Sequence, residues 1–311
     1  MFLRALSVLV VFICFPFSGK SSLSEGFRKE VNLREASLET EKLVIKTIKM
    51  EKYKGSYKAL NTVDGSRISH DFVYYRPKGI NNRKTPLIII VPPVVGITPF
   101  EYMSARYFSS HGFAVAVLKL NVPSVDQNVV LDRLGQDWEG YVEKVRAFID
   151  IVGKLPGVDD QKIGIMGLSL GGITTALTMG RDPRLKAGVI FMGATNIPHL
   201  MAYSDQYVVK KLREKKMSEL GIEDAWDFET LLKEKVKIDL PYLTEGRTSR
   251  DYFLFVTKDD SYVPSKIQET LRADLGYPET HYLPPGHVLN GMFYPVHLKK
   301  MKDYYWLKLG Q

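Results

Sequence analysis

The sequence predicts an α/β architecture: a mostly parallel central sheet with helices on both faces and a helical insertion late in the chain. Three observations predict it. Runs that are apolar at every position, Leu87–Val91 and Phe113–Leu118, suit strands covered on both faces. Segments with apolar residues at helical spacing stand between such runs, and strands that alternate with helices require right-handed crossovers in one sheet. More than fifty residues separate the strand ending near Met192 from the strand beginning near Tyr252, well beyond an ordinary connection.

At the N-terminus, Arg4 precedes thirteen uncharged, largely apolar residues, Ala5–Phe17. That length lies within the roughly 7–15 residues of a signal-peptide core and short of the about 20 that a membrane-spanning helix needs. Pro16, Ser18, Gly19, Ser21 and Ser22 resemble the small-residue exit of a secretory signal. Residues 1–21 are therefore expected to be an export signal, which makes the protein periplasmic or secreted. An uncleaved N-terminal anchor is the alternative, and Phe17 and Lys20 leave the cleavage point open. Cys14 follows Ile13 rather than the small residue of a lipoprotein signal. It is the chain's one cysteine, which excludes an intramolecular disulfide framework and a cysteine zinc cage.

Residues 22–66 read as a lead-in with N-terminal strands: 22–42 polar and loosely held, then strand-like from Leu43. Ile68, His70, Phe72 and Tyr74 alternate with Ser69, Asp71 and Val73, the period of a half-buried strand. A helix is expected between Val91 and Phe113. Trp138, Tyr141, Val142, Val145, Phe148, Ile149 and Val152 then recur at helical spacing, and Pro156-Gly157 ends that helix. Lys162–Met166, Ala187–Met192, Tyr252–Val256 and a segment near His281–Leu283 read as the remaining strands. Inside the long interval, helix-like stretches Tyr203–Glu214 and Trp226–Lys235 carry Met201, Tyr207, Leu212, Leu220, Trp226, Phe228 and Leu231 nearby. They form either a lid over a site or a helical hairpin that packs on itself, since long insertions cost little stability. The expected domain is 67–311, with the insertion at about 196–240.

The net charge is +8, with basic groups at Lys46–Lys58 and Lys210–Lys216. No zinc finger, aromatic RNA-binding motif or phosphate loop accompanies them, so nucleic acid is not an expected partner. Solvated faces explain both groups, and peripheral contact with a membrane or envelope surface stays open.

The chemistry-bearing residues follow the strands. Gly167-Leu-Ser-Leu-Gly171 matches the G-x-S-x-G turn, in which glycines let a serine project from a strained strand–turn–helix. The pentapeptide is weak evidence alone. Its place, between a buried strand and the helix start Gly171–Leu177, gives it weight. A serine hydroxyl needs a base, and the base needs an orienting acid. Asp259 and Asp260 both follow the strand Tyr252–Val256, where ligand chemistry belongs in an open sheet. Pro264 is placed to open the next helix, with Ile267 and Leu271 on one face. Of the histidines after the serine, His199, His281 and His297 read as structural, whereas His287 lies in the loop Leu283-Pro-Pro-Gly-His-Val288.

From about residue 66 the chain resembles the α/β-hydrolase superfamily. Val158–Gly172 is similar to the elbow region of its dienelactone-hydrolase-like and prolyl-oligopeptidase-like branches, Asp260-Ser-Tyr-Val-Pro264 to the family's acid loop, and Gly286-His287 to its terminal Gly-His. The resemblance implies an α/β-hydrolase fold, Ser169 as nucleophile, His287 as general base, and Asp260 rather than Asp259 as the acid. A serine stands where dienelactone hydrolase carries cysteine, so lactone specificity does not transfer. The family's His-Gly after the first parallel strand is replaced by Pro92-Pro93, which have no backbone N–H to offer an oxyanion. The expected donors are the amides of Leu170 and of Val94 or Val95. The expected function is a serine hydrolase that cleaves a small-molecule or lipid-like carboxylic ester, with neither metal nor organic cofactor. Thioester hydrolysis, acyl transfer, peptide cleavage and a catalytically silent scaffold are the alternatives.

Overall fold

In the computed structural model, residues 33–61, 67–79, 83–119, 131, 134–236 and 246–310 are described. The expected signal segment 1–21 and part of the insertion's end lie outside them. The described strands form one nine-stranded sheet, ordered β1-β2-β3-β5-β4-β6-β7-β8-β9. β1 (Leu33–Lys46), β2 (Met50–Asn61) and β3 (Arg67–Pro77) are antiparallel, and β3 joins β5 antiparallel. The rest of the sheet is parallel: β4 (Thr85–Val91), β5 (Ala114–Leu118), β6 (Val158–Leu168), β7 (Leu185–Phe191), β8 (Tyr252–Thr257) and β9 (Glu279–Leu283).

The uninterrupted apolar runs have a direct structural cause. In β4, Leu87, Ile89 and Val91 enter the core on one face of the sheet, whereas Ile88 and Ile90 enter the core on the other. Helices α2 (Leu134–Val152), α3 (Leu170–Arg181) and α7 (Ser265–Asp274) cover the first face. The second face packs against α1 (Pro99–Ser110) and the terminal α9 (Leu298–Leu309), with Phe108, Met301 and Tyr305 fully buried. Trp138, Tyr141, Val145, Phe148 and Val152 of α2 are all buried, as their spacing predicts.

Two expectations need correction. The segment 33–42 is not a loose lead-in: it belongs to β1, whose ladder to β2 runs from Leu33↔Asn61 to Lys46↔Glu51. From Glu41 to Lys49 every residue is exposed, so ladder hydrogen bonds rather than a buried face hold the strand, and no apolar period announces it. The helix after the acid loop begins at Ser265, with Pro264 just outside it at ψ 129°.

The long interval holds α4 (Ile197–Tyr203), α5 (Tyr207–Leu220) and α6 (Ala225–Lys235). Leu200, Met201, Phe228 and Leu232 tie α4 and α6 into the main core, whereas α5 buries no residue fully. The insertion is therefore not a hairpin packed on itself alone. Between the strands and helices, the short α8 (His287–Phe293) leads through a 3-10 turn, Tyr294–His297, into α9.

Candidate active site

The parallel register aligns Leu168, Phe191, Phe255 and His281 in one row across β6, β7, β8 and β9. Ser169, Asp260 and His287 leave the sheet beyond that row, at one edge. Each is delivered by a short connection from its strand, the arrangement in which open parallel sheets build their sites.

Ser169 sits between β6 and α3 with φ 56° and ψ −117°, left-handed backbone that costs a non-glycine residue free energy. Tight packing enforces the turn. A Cβ on Gly167 would stand 2.1 Å from Gly171 O, and a Cβ on Gly171 would stand 2.1 Å from Val91 O. Both motif glycines are thus required by backbone passing backbone. The Ser169 N–H donates to Phe191 O at 2.9 Å, and its carbonyl accepts the Ile173 N–H at 2.9 Å.

The acid and the imidazole meet directly. His287 Nδ1 lies 2.7 Å from Asp260 Oδ2, and the Asp260 side chain has no exposed surface. Asp259 is exposed and contributes only its carbonyl, which accepts the Gly286 N–H at 2.8 Å. Since Nδ1 faces the carboxylate, Nε2 is the ring nitrogen directed away from Asp260. Tyr262 lies beside the ring at 5.2 Å between centroids. No hydrogen bond joins Ser169 Oγ to His287 among the described residues. The two elements nevertheless adjoin, because a Cβ on Gly291 of α8 would stand 3.7 Å from Leu168 Cδ2.

The loop after β4 approaches the elbow through the Gly171–Val91 contact. It folds as a turn in which the Gly96 N–H donates to Pro93 O at 2.9 Å, leaving Val94 and Val95 as its central residues. Val94 is half-buried and Val95 is 59% exposed. Leu170 is the first residue of α3, so its N–H has no intrahelical acceptor.

Several supporting residues carried no recognisable sequence signal. Gln268 of α7 donates to Asp260 Oδ2 at 2.9 Å. Asn290 Nδ2 donates to Pro284 O at 2.6 Å and Gly286 O at 2.7 Å, bracing the His287 loop. From the insertion, Ser204 Oγ donates to Tyr262 O at 2.5 Å and the Asp205 N–H to Ser261 O at 2.7 Å, gripping the turn that carries Asp260. Glu101 caps its own helix by accepting the Thr98 N–H at 2.7 Å and Thr98 Oγ1 at 2.5 Å; burial raises its carboxyl above the usual range despite those bonds. Two patterns could have flagged some of them: the polar break in an apolar helix face at Gln268, between Ile267 and Leu271, and the Thr98–Glu101 spacing of a capping box.

The other histidines stand apart. His281 and His297 pair with ring centroids 4.9 Å apart, and burial pushes His297 down to about 4. His199 Nδ1 lies 3.3 Å from Glu229 within the insertion. Among the described residues, no three His, Cys, Asp or Glu side chains gather in a way that could hold a metal ion, and no helix is long and apolar enough to cross a membrane.

The family model for BAAT / acyl-CoA thioester hydrolase C terminal matches residues 141–308, more than half of the chain, and the dienelactone hydrolase family model matches 71–208. No curated protein sequence matches the chain. Among solved structures, acetyl xylan esterase from Paenibacillus sp. R4 is similar with a TM-score of 0.61 at 14% identity, covering 95% of this chain and 97% of that one. Acetyl xylan esterase 1 from Thermoanaerobacterium sp. JW/SL YS485 gives 0.61 at 15% identity, covering 91% and 94%. The acylaminoacyl peptidase of Pyrococcus horikoshii gives 0.52 at 16% identity, covering 89% of this chain but 51% of that one. At such identities the likeness establishes a shared fold: helices on both sides of a mainly parallel sheet.

Proposed function

Because the chain belongs to the BAAT / acyl-CoA thioester hydrolase C-terminal family of the α/β-hydrolases, we propose that it is a serine hydrolase that cleaves a carboxylic ester through an acyl-enzyme. The observation that carries this reading is the buried 2.7 Å contact between His287 Nδ1 and Asp260, set at the same sheet edge as a serine held at positive φ. Ser169 Oγ attacks the carbonyl carbon and His287 Nε2 takes its proton. Asp260 stays ionised and steadies the imidazolium. The tetrahedral oxyanion accepts N–H groups from Leu170 and Val94. Collapse expels the alcohol with the proton from His287, and water repeats the cycle on the acyl-enzyme.

Val94 is favoured over Val95 as the second donor because it is the less exposed residue of the turn. The insertion is the element suited to cover an apolar acyl or alcohol group, since its first helix ends on the acid turn. The run Ala5–Phe17 supports export of this hydrolase to the periplasm or beyond. Thioester cleavage is the second reading, favoured by the family match itself, and it uses the same groups with a thiol leaving.

A fluorophosphonate probe tests the nucleophile. Wild type is expected to be labelled and to hydrolyse p-nitrophenyl esters, and Ser169→Ala to do neither. Turnover that survives Ser169→Ala would refute the assignment. Parallel assays with acyl-CoA of matched chain length decide between ester and thioester.

A further inference from the structure

Asp260 has more partners than one imidazole requires. Oδ1 accepts the N–H groups of Tyr262 and Val263, each at 2.9 Å. Oδ2 accepts His287 Nδ1 at 2.7 Å and Gln268 Nε2 at 2.9 Å. A carboxylate offers about four acceptor positions, and all are taken. Gln268 is itself 1% exposed, and its whole amide is committed. Its second Nε2 hydrogen goes to Val263 O at 2.7 Å, and its Oε1 accepts the Thr257 N–H at 3.0 Å. These contacts fix the orientation of the amide: flipped, it would aim an acceptor at the carboxylate and at a carbonyl, and a donor at an N–H.

We propose that Gln268 is a positioning residue for catalysis: it shares Oδ2 with His287, and so sets both the direction of the Asp260 carboxylate and the negative charge that it presents to the imidazole. The proposal rests on the Ser169–His287–Asp260 reading and adds to it. Ile267 and Leu271 already supply the apolar face of α7, so packing alone does not call for a glutamine between them. A buried amide costs free energy unless its bonds are returned, and here two of its three bonds go to the acid turn. A donor on an ionised carboxylate stabilises the ionised form. Gln268 therefore shares the negative charge of Asp260 and moderates its pull on the imidazolium.

The test is the pH dependence of kcat/KM on a p-nitrophenyl ester. Gln268→Met removes both donors with little change in shape. Its kcat is expected to fall about tenfold or more with KM within about twofold, and the apparent pKa of the acidic limb to rise by about half a unit. Ile267→Val on the same helix loses packing but should leave that pKa unmoved. Gln268→Glu keeps the acceptor for the Thr257 N–H and places a carboxyl against Oδ2; it must hold a proton to donate, so a new ionisation should enter the profile. If Gln268→Met does not fold, Gln268→Glu decides the matter. Wild-type acidic limbs in the folded Gln268 variants, with no added ionisation in Gln268→Glu, would overturn the proposal. Turnover persisting in Ser169→Ala would instead remove the triad reading on which it rests.

Discussion

Gly171→Ala puts the construction of the elbow to the sharpest test. The new Cβ would lie 2.1 Å from Val91 O and 2.8 Å from Pro92 O, and real Cβ atoms essentially never come within 3.0 Å of other heavy atoms. Both partners are backbone, one in a central strand and the other in the loop that follows it, so no side chain can swing aside. The elbow and the end of β4 must separate by about 0.9 Å, the difference between those two distances. That displacement falls on the Pro93–Gly96 turn, which carries the proposed donor Val94. A misplacement of about 1 Å can cost about 100-fold in rate, and loss of one oxyanion donor about 100–1,000-fold. The expected result is a fall in kcat of about 100-fold or more. Overpacking should cost about 1–3 kcal/mol of stability, so the variant remains folded at 25 °C. Activity on p-nitrophenyl acetate, read beside a circular-dichroism melt, separates the two effects. A folded Gly171→Ala enzyme within threefold of wild-type kcat/KM would refute the reasoning, because the contact would then not position the loop.

Gly291→Ala is the matched contrast: its Cβ would meet Leu168 Cδ2 at an ordinary 3.7 Å inside a helix, so Tm should rise modestly, by up to about 1 kcal/mol of added stability. Asp182 is buried and accepts three bonds from Arg184, at 2.6, 2.9 and 3.1 Å. Burial alone would raise its carboxyl, but Arg184 outweighs burial and holds it below the usual range; that stability is present at neutral pH and lost as pH falls through the lowered value, and, because Arg184 is partly exposed and keeps Asp150 as a partner, Asp182→Ala should cost about 1–3 kcal/mol in urea melts. Burial also pushes His70 down to about 4. A histidine depressed in the folded state stabilises above its unfolded value of about 6.5 and loses that contribution as pH falls toward 4, so about 1–2 kcal/mol should disappear between pH 7 and pH 5, and a His70→Phe variant should show a shallower slope. Ser204→Ala breaks the bond from the insertion to Tyr262 O; a loss of about 1 kcal/mol or more in a denaturant melt is expected, and unchanged stability would mean that α4 does not brace the acid turn.

What the sequence revealed depended on whether a residue's role is local in the chain. The elbow is legible because its demands fall on neighbours: Gly167 and Gly171 flank Ser169, and each is compelled by backbone within the same turn or the adjoining strand. The two-sided burial of β4 and β5 is legible for a similar reason, since alternate residues enter opposite cores and every position becomes apolar. The contact of Asp260 with His287 spans 27 residues, and composition leaves Asp259 and Asp260 equal; only the similarity of Asp260–Pro264 to a known loop separated them. The first part of β1, residues 33–42, left no signal because an exposed edge strand is held by its ladder and not by a buried face. Gln268 was invisible because a buried amide in an apolar stripe looks like an ordinary break in the period until its partners are known.

The acid turn, rather than the serine, is where the separate parts of the molecule converge. From β8 it receives its position, from α7 the Gln268 amide, from the His287 loop the bond between the Gly286 N–H and Asp259 O, and from the insertion two bonds at Ser261 and Tyr262. The elbow needs none of these, because its own glycine packing, its fit against β4 and the Ser169 N–H bond to Phe191 O hold it. A long insertion anchored at the acid turn places a load on Asp260, the proposed acid. The buried bonds on both Asp260 oxygens answer that load: two backbone amides hold Oδ1 and one side-chain amide steadies Oδ2. These bonds keep a displacement carried by the insertion from turning the carboxylate away from the imidazole, which is the physical condition for attaching a long insertion to the turn that holds the acid.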